Sequence, residues 1–272
     1  MITKFTLWLF VVVLAIPTAF AADVPSLSFC IPPQQSPIEL TKRWTPVLQY
    51  LSEKSGVALG LKTAKDIPTY QQQVMDEQCD FAYMSPNSYI AANKAGGYQA
   101  FAKDKEAKSI AIIVVRKDGP IQRLSQLKDQ TLAFPSHTAF MATILPMQKL
   151  DDEKIAVKKQ YVVSMDSVYR SVAKGLFVAG GGEARTFGSL DPEIRSQLDV
   201  LWKSDDLPPF PFFAHPRVKT TALIKLQKAM LAMSQEAQGQ ALLKAVNIKT
   251  FDIANDGEYD GVRKLNLPLE VK

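Results

Sequence analysis

The chain has 272 residues, a formal net charge of +5 at pH 7, 47% hydrophobic and 22% charged residues. That is an ordinary globular balance, with apolar residues enough for a sizeable core, so a low-complexity or fibrous chain is excluded. The basic residues are scattered rather than gathered in an aromatic-interleaved stripe, which argues against nucleic acid as a partner. The mild positive charge favours an anionic ligand, though only weakly.

At the N-terminus, Lys4 precedes an apolar run from Leu7 to Ile16, and Ala19-Phe20-Ala21 supplies a small-x-small cleavage site. This predicts a secretory signal peptide over residues 1–21, cleaved after Ala21, and a mature protein in the periplasm. The run falls short of the roughly 20 apolar residues that a bilayer span needs, and no later segment supplies one.

Leu27–Ile31 then reads as a buried strand. Ser36-Pro37-Ile38-Glu39 forms a capping-box start for a helix carried on Leu40, Trp44, Val47, Leu48 and Leu51, stopped at Gly56 and kinked at Pro46. Strands follow at Val57–Leu61, Asp80–Met84, Gln99–Ala102 and Ser109–Arg116, with helices at Ile67–Met75 and Pro86–Lys94. Past Gly119-Pro120 the alternation restarts: strands at Thr131–Phe134, Gln160–Val163, Phe177–Ala179 and Val200–Lys203, and helical segments at Leu124–Leu127, Ala139–Leu150, Ser167–Lys174 and Leu190–Leu198. A Pro- and Phe-crowded stretch, Asp205–Pro216, leads to amphipathic helices at Leu223–Met233 and Gly239–Val246. Strand–helix alternation means an α/β fold with a mixed, mainly parallel sheet in each unit. The predicted organisation is a first lobe at 22–115, a second at 116–204, and a return to the first at 205–272. Two crossings between two lobes make a hinge and a ligand cleft.

Two junctions in this pattern are alike. In Asp80–Ala92 (DFAYMSPNSYIAA) and Thr131–Phe140 (TLAFPSHTAF), an apolar strand ends beside a proline, and Ser85 or Ser136 falls at an N-cap position. Helix starts leave backbone N–H groups unpartnered and carry partial positive charge, so two of them facing one cleft suit a small oxyanion. Taken alone, an N-cap serine is equally ordinary helix chemistry.

Together with SPIELTKRWTPVLQYLSEKSG, TYQQQVMDEQCDFAYMSPNSYIAA and the tail FDIANDGEYDGVRKL, these segments make the mature chain resemble the periplasmic phosphate-, phosphite- and phosphonate-binding proteins of ABC importers, the phosphonate-binding branch of the type II solute-binding fold. The resemblance implies a two-lobe type II protein that closes on a small oxyanion and delivers it to a membrane permease. It also implies that hydroxyl side chains and helix-start amides hold the ligand. The family often reads Ser-Thr-Ser-Gly where this chain has Pro135-Ser136-His137-Thr138, so Ser136 and Thr138 fit the hydroxyl roles and His137 is a departure. Tyr70 matches a cleft-lining tyrosine, and Ser85, Asn87 and Tyr89 lie on the block that brings the first lobe's helix start to the ligand. Two further departures, Val178 for a usual acidic residue and Met165 for a usual histidine, remove the amino-group site of an aminoalkyl phosphonate, with Glu183 as a possible substitute.

Other residues read more plainly. Gln34, Gln35 and Ser36 follow the first strand at the open end of its sheet, with Ser36 structural. Gly180-Gly181-Gly182 lacks the Lys and Ser/Thr of a phosphate loop and implies close backbone approach or flexibility. Glu183 and Arg185 read as a solvated pair, and Phe210, Phe212 and Phe213 as packing between the lobes. Cys30 and Cys79 are the only cysteines; export permits a disulfide, and two buried thiols fit equally. His137 and His215 have no ligand spacing, so neither metal nor cofactor is expected. No nucleophile–base constellation can be assembled, which leaves a monomeric binding protein rather than an enzyme. The remaining alternative is a sensor subunit that feeds a membrane signalling partner with a non-phosphorus ligand.

Overall fold

The computed structural model describes residues 26–265, so the predicted signal peptide lies outside the described residues. Strands and helices alternate through two units. The first holds β1 (Leu27–Cys30), α1 (Pro37–Ser55), β2 (Leu59–Lys62), α2 (Ile67–Met75), β3 (Phe81–Tyr83), α3 (Pro86–Gly96) and β4 (Gln99–Asp104). The second holds β5 (Ala111–Arg116), β6 (Thr131–Phe134), α4 (Leu145–Asp152), β7 (Lys158–Tyr161), α5 (Met165–Ala173), β8 (Ala179–Glu183), α6 (Ala184–Gly188), α7 (Pro192–Arg195) and β9 (Leu198–Lys203). The chain then returns through β10 (Pro211–Ala214), α8 (Thr220–Ala232), α9 (Ala237–Ala245), β11 (Phe251–Ile253) and α10 (Asp260–Lys264).

The two mixed sheets are ordered β11-β4-β10-β3-β1-β2 and β7-β6-β8-β5-β9. β1 runs parallel to β2 and β3, and β6 parallel to β7 and β8. β10 is antiparallel to both β3 and β4, because the returning chain enters the first sheet from the end where β3 leaves it. β5 pairs with β8 and β9, so Ala111–Arg116 belongs to the second sheet rather than to the first lobe's 22–115.

Local chemistry accounts for several differences from the sequence reading. α1 runs unbroken through Pro46 from an N-cap at Ser36, whose Oγ accepts from the Glu39 amide at 3.3 Å. The Glu39 carboxylate turns to Arg43 instead of completing a capping box. Phe212 and Phe213 lie in the middle of the first sheet and are fully buried; Pro211 stands at the strand's first position, where a missing N–H is tolerated. Phe212 stacks on Tyr83 at 4.2 Å between centroids. Gly180, Gly181 and Gly182 are strand residues of β8, not a flexible loop. A Cβ on Gly180 would lie 2.4 Å from Val168 Cγ1, and one on Gly182 would lie 2.3 Å from the Tyr169 hydroxyl, so α5 presses directly on bare backbone. Phe140, Met141 and Leu145 of the second unit pack into the first unit's core, and Ile67 packs into the second's.

Cys30 and Cys79 form a disulfide that closes a sequence separation of 49. Beside it, Asp80 accepts from the Ser28 amide and hydroxyl, both at 2.8 Å, and from Arg217 Nε at 2.6 Å. Burial raises the Asp80 pKa, but Arg217 and Ser28 outweigh it and hold the carboxyl below its ordinary value. A depressed folded-state pKa adds stability that is present above the unfolded value of about 3.9 and disappears as pH falls through the folded one. Asp80→Asn is therefore expected to cost about 1–2 kcal/mol at pH 7, discounted for partial exposure, and progressively less below pH ~4. Urea unfolding of both proteins across that range checks it; a gap independent of pH would contradict it.

Candidate functional site

β1 and β3 run parallel, and the segments beyond their C-terminal ends meet second-unit residues, at the end of a parallel pair where α/β proteins place ligands. β3 delivers Ser85, the N-cap of α3, with Pro86 as the first helical residue. The Ser85 hydroxyl does not cap the helix: it donates to Asn87 Oδ1 at 2.8 Å and lies 3.0 Å from Ser88 Oγ. The amides at the start of α3 are thus left to another acceptor. Ser88 also receives Gln71 Nε2 at 3.0 Å, and the same amide group reaches the Thr138 carbonyl of the second unit at 3.4 Å. Thr138 Oγ1 lies 3.4 Å from Ser136 Oγ. A continuous polar chain, Asn87–Ser85–Ser88–Gln71–Thr138–Ser136, therefore crosses from one unit to the other. All but Ser85 are buried, and Gln71 Oε1 has no hydrogen-bond partner.

The second junction is built differently from its predicted form. Ser136 is not an N-cap: the chain first makes a π-helical turn, Phe140–Ile144, capped at Ala139, and α4 follows. Thr143 Oγ1 donates to the Ser136 carbonyl at 2.7 Å and so clamps the hydroxyl loop onto the turn. His137 is exposed and its ring meets the edge of Tyr161 at 6.2 Å, outside the polar chain.

The two tyrosines have other duties. Tyr70 is fully buried, with its hydroxyl 2.9 Å from the Cys30 carbonyl and 3.1 Å from that of Tyr83; burial raises its pKa well above 10. Its ring lines the recess beside Ser85, but its hydroxyl is engaged in holding β1 to β3. Tyr89 donates to Asp256 Oδ1 at 2.7 Å and packs against Tyr259 and Phe213, which anchors the C-terminal segment and leaves Tyr89 out of the cleft.

Sequence reasoning missed Ser88 and Gln71. Ser88 sits three positions after Ser85 on α3 and so shares its face, a signal that was present in the sequence. The pair Glu183 and Arg185 is not solvated. Glu183 is 1% exposed, and burial raises its pKa against the opposing pull of Arg185. Val178 is part-buried and packs against the apolar cluster that contains Ile113, Leu132 and Leu150.

Two spaces lie between the units, and the smaller adjoins the polar chain. One is a recess of about 40 Å3 with hydroxyls at Ser85, Ser88 and Thr138 and apolar walls from Ile67, Met84, Phe140, Met165 and Phe210. The other is a polar chamber of about 480 Å3 between Gln34, Gln35, Glu39 and Arg43 of the first unit and Asp166, Arg170, Ser189 and Asp191 of the second. Gln34 lines both.

A family model described as "ABC transporter, phosphonate, periplasmic substrate-binding protein" matches residues 29–259. The phosphonates-binding periplasmic protein of Escherichia coli is 23% identical over 262 residues, which is 91% of this chain and 78% of that protein. The crystal structure of a binding-protein component of an ABC phosphonate transporter from Pseudomonas aeruginosa superposes with a TM-score of 0.79 at 19% identity, covering 89% of this chain and 85% of that one. PhnD1 from Prochlorococcus marinus, in complex with methylphosphonate, gives 0.78 at 18% identity, covering 89% of this chain and 98% of that one.

Proposed function

The chain belongs to the periplasmic substrate-binding family of ABC phosphonate transporters, and from that membership we propose that it captures a small phosphorus oxyanion, of the phosphate, phosphite or phosphonate class, by cleft closure. The observation that carries this reading is the polar chain Ser85–Ser88–Gln71–Thr138–Ser136, whose members come from both units. Ser85, Ser136 and Thr138, with Asn87 beside them and the free amides of α3, donate to the anion. Tyr70 lines the cleft through its ring alone. His137 stands at the rim and Tyr89 supports the first lobe. Hydrogen bonds to a charged group contribute about 1.5–3 kcal/mol each, so three or four reach micromolar affinity after ordering costs. The apolar walls of the small recess suit a hydrogen or methyl substituent on phosphorus, as in phosphite or methylphosphonate. A primary amine would find no carboxylate among the residues that line the recess, so aminoethylphosphonate is disfavoured.

The further parts of the reading are a leader removed after Ala21, a monomer working without a cofactor, no catalytic step, and a membrane permease as the partner that reads the closed state. The lobes are hinged at the two crossings, after Asp104 and after Lys203. Ser136→Ala combined with Thr138→Ala is expected to weaken methylphosphonate binding about 100-fold while leaving the melting temperature of the free protein nearly unchanged. Unchanged affinity in that double variant would remove both hydroxyls from the site.

A further inference from the structure

We propose that Arg185 is a positioning residue, a peg from the second lobe into the first that sets ligand affinity through closure rather than by touching the ligand. The inference rests on the closure reading above.

Arg185 opens α6 directly after β8, yet nearly everything that holds it comes from the first unit. Its guanidinium carbon lies 5.6 Å from the ring centroids of both Tyr83 and Phe210. One guanidinium nitrogen donates to Gln34 Oε1 at 2.9 Å. Its backbone carbonyl accepts from Asn247 Nδ2 at 3.3 Å. Three separate first-unit segments therefore converge on one side chain that is 14% exposed. A guanidinium is well suited to this, since it donates in its plane and stacks on aromatic faces.

Glu183 gives the peg its two-state character. Its carboxylate is buried but poorly matched: Arg185 Nε stands 3.8 Å from Oε1, and Gln34 Nε2 reaches Oε2 at 3.5 Å. Closing the lobes strips water from both charges; their mutual attraction and Gln34 offset that cost for Glu183, while Tyr83, Phe210 and the charge of Asp104 add support for Arg185 alone. Opening restores water to both. Removing Arg185 alone therefore leaves a lone carboxylate to be buried on every closure, and removing the Glu183 charge as well relieves that penalty. A residue that merely contacted the ligand would show no such rescue.

The experiment uses the mature protein, with Arg185→Met, Gln34→Ala and the double variant Arg185→Met/Glu183→Gln. The dissociation constant for methylphosphonate is measured by calorimetry, and the radius of gyration of the protein without added anion by small-angle X-ray scattering. Apparent affinity falls as the fraction of closed protein falls. Arg185→Met is expected to weaken binding about 5- to 150-fold and to enlarge the radius of gyration, with Gln34→Ala in the same direction and smaller. The added Glu183→Gln is expected to recover part of both changes. Unaltered affinity and scattering in Arg185→Met would overturn the proposal. So would a loss of affinity with unchanged scattering and no recovery, which would make Arg185 a ligand contact. If the wild type binds no phosphorus anion, the function proposed above fails, and the scattering series alone decides on the peg: an enlarged, rescuable Arg185→Met supports it and an unchanged one refutes it.

Discussion

Gly181→Ala is expected to cost more than about 3 kcal/mol of stability, the upper range for overpacking a core, and to abolish ligand binding in whatever folded protein remains. The added Cβ would lie 1.8 Å from the Ala142 carbonyl oxygen and 2.8 Å from Phe134 Cδ1. The first of these is backbone, so no rotamer change can relieve it. Ala142 is in the π-helical turn that clamps the Ser136 loop through Thr143, so any backbone retreat carries the hydroxyls with it. Pro146, four residues on, has no N–H to offer the Ala142 carbonyl as an α-helical partner. Gly188→Ala is the control: a Cβ there meets nothing within 4 Å, and the change is expected to stay within about 0.5 kcal/mol. Chemical unfolding of the two variants measures the contrast. Equal stabilities would mean that β8 and the π-turn are not in contact.

Loss of the Cys30–Cys79 disulfide, by reduction or by Cys30→Ala/Cys79→Ala, is expected to destabilise the protein by about 4 kcal/mol. The estimate follows from chain entropy for a loop closed across a separation of 49 residues. The bridge joins β1 to the residue just before Asp80, where Ser28 and Arg217 add their own ties. Both strands deliver cleft loops, Gln34 from β1 and Ser85 from β3, so the same loss is expected to loosen the site. Denaturant midpoints with and without reductant test this, and a shift under about 1 kcal/mol would show that the sheet and the Asp80 network hold those strands unaided.

Where the sequence was legible, a local rule sufficed. Helical spacing of Leu40, Trp44, Val47, Leu48 and Leu51 located α1, and the strand–Ser–Pro junction located Ser85 at the start of α3. Alternation of strands and helices gave the class of fold, and the resemblance gave the type II arrangement. The failures lie where a distant partner decides. Glu183 and Arg185 look like a surface pair until Gln34, some 150 residues earlier, and the Tyr83 ring close over them. The glycine run of β8 left close approach and flexibility both open, and α5 and the π-turn pressing on its two faces decide for close approach. Phe212 and Phe213 are disguised by the surrounding prolines, and their antiparallel strand exists only because the chain returns from the second unit. Tyr89 sits in the right block, but Asp256, far along the chain, draws its hydroxyl away. Ser136 obeys the N-cap pattern in its own neighbourhood, while the helical start lies at Phe140, in a π-helical turn packed against Gly181.

In the proposed function, hydroxyls from two lobes close on one small phosphorus oxyanion. Calorimetric titration of the mature protein with phosphate, phosphite, methylphosphonate, aminoethylphosphonate and sulfate tests it most directly. Micromolar or tighter binding of phosphite or methylphosphonate is expected, with weaker binding of aminoethylphosphonate and loss of the heat in Ser136→Ala/Thr138→Ala. No heat with any phosphorus anion, or a preference for sulfate that survives in that double variant, would contradict it.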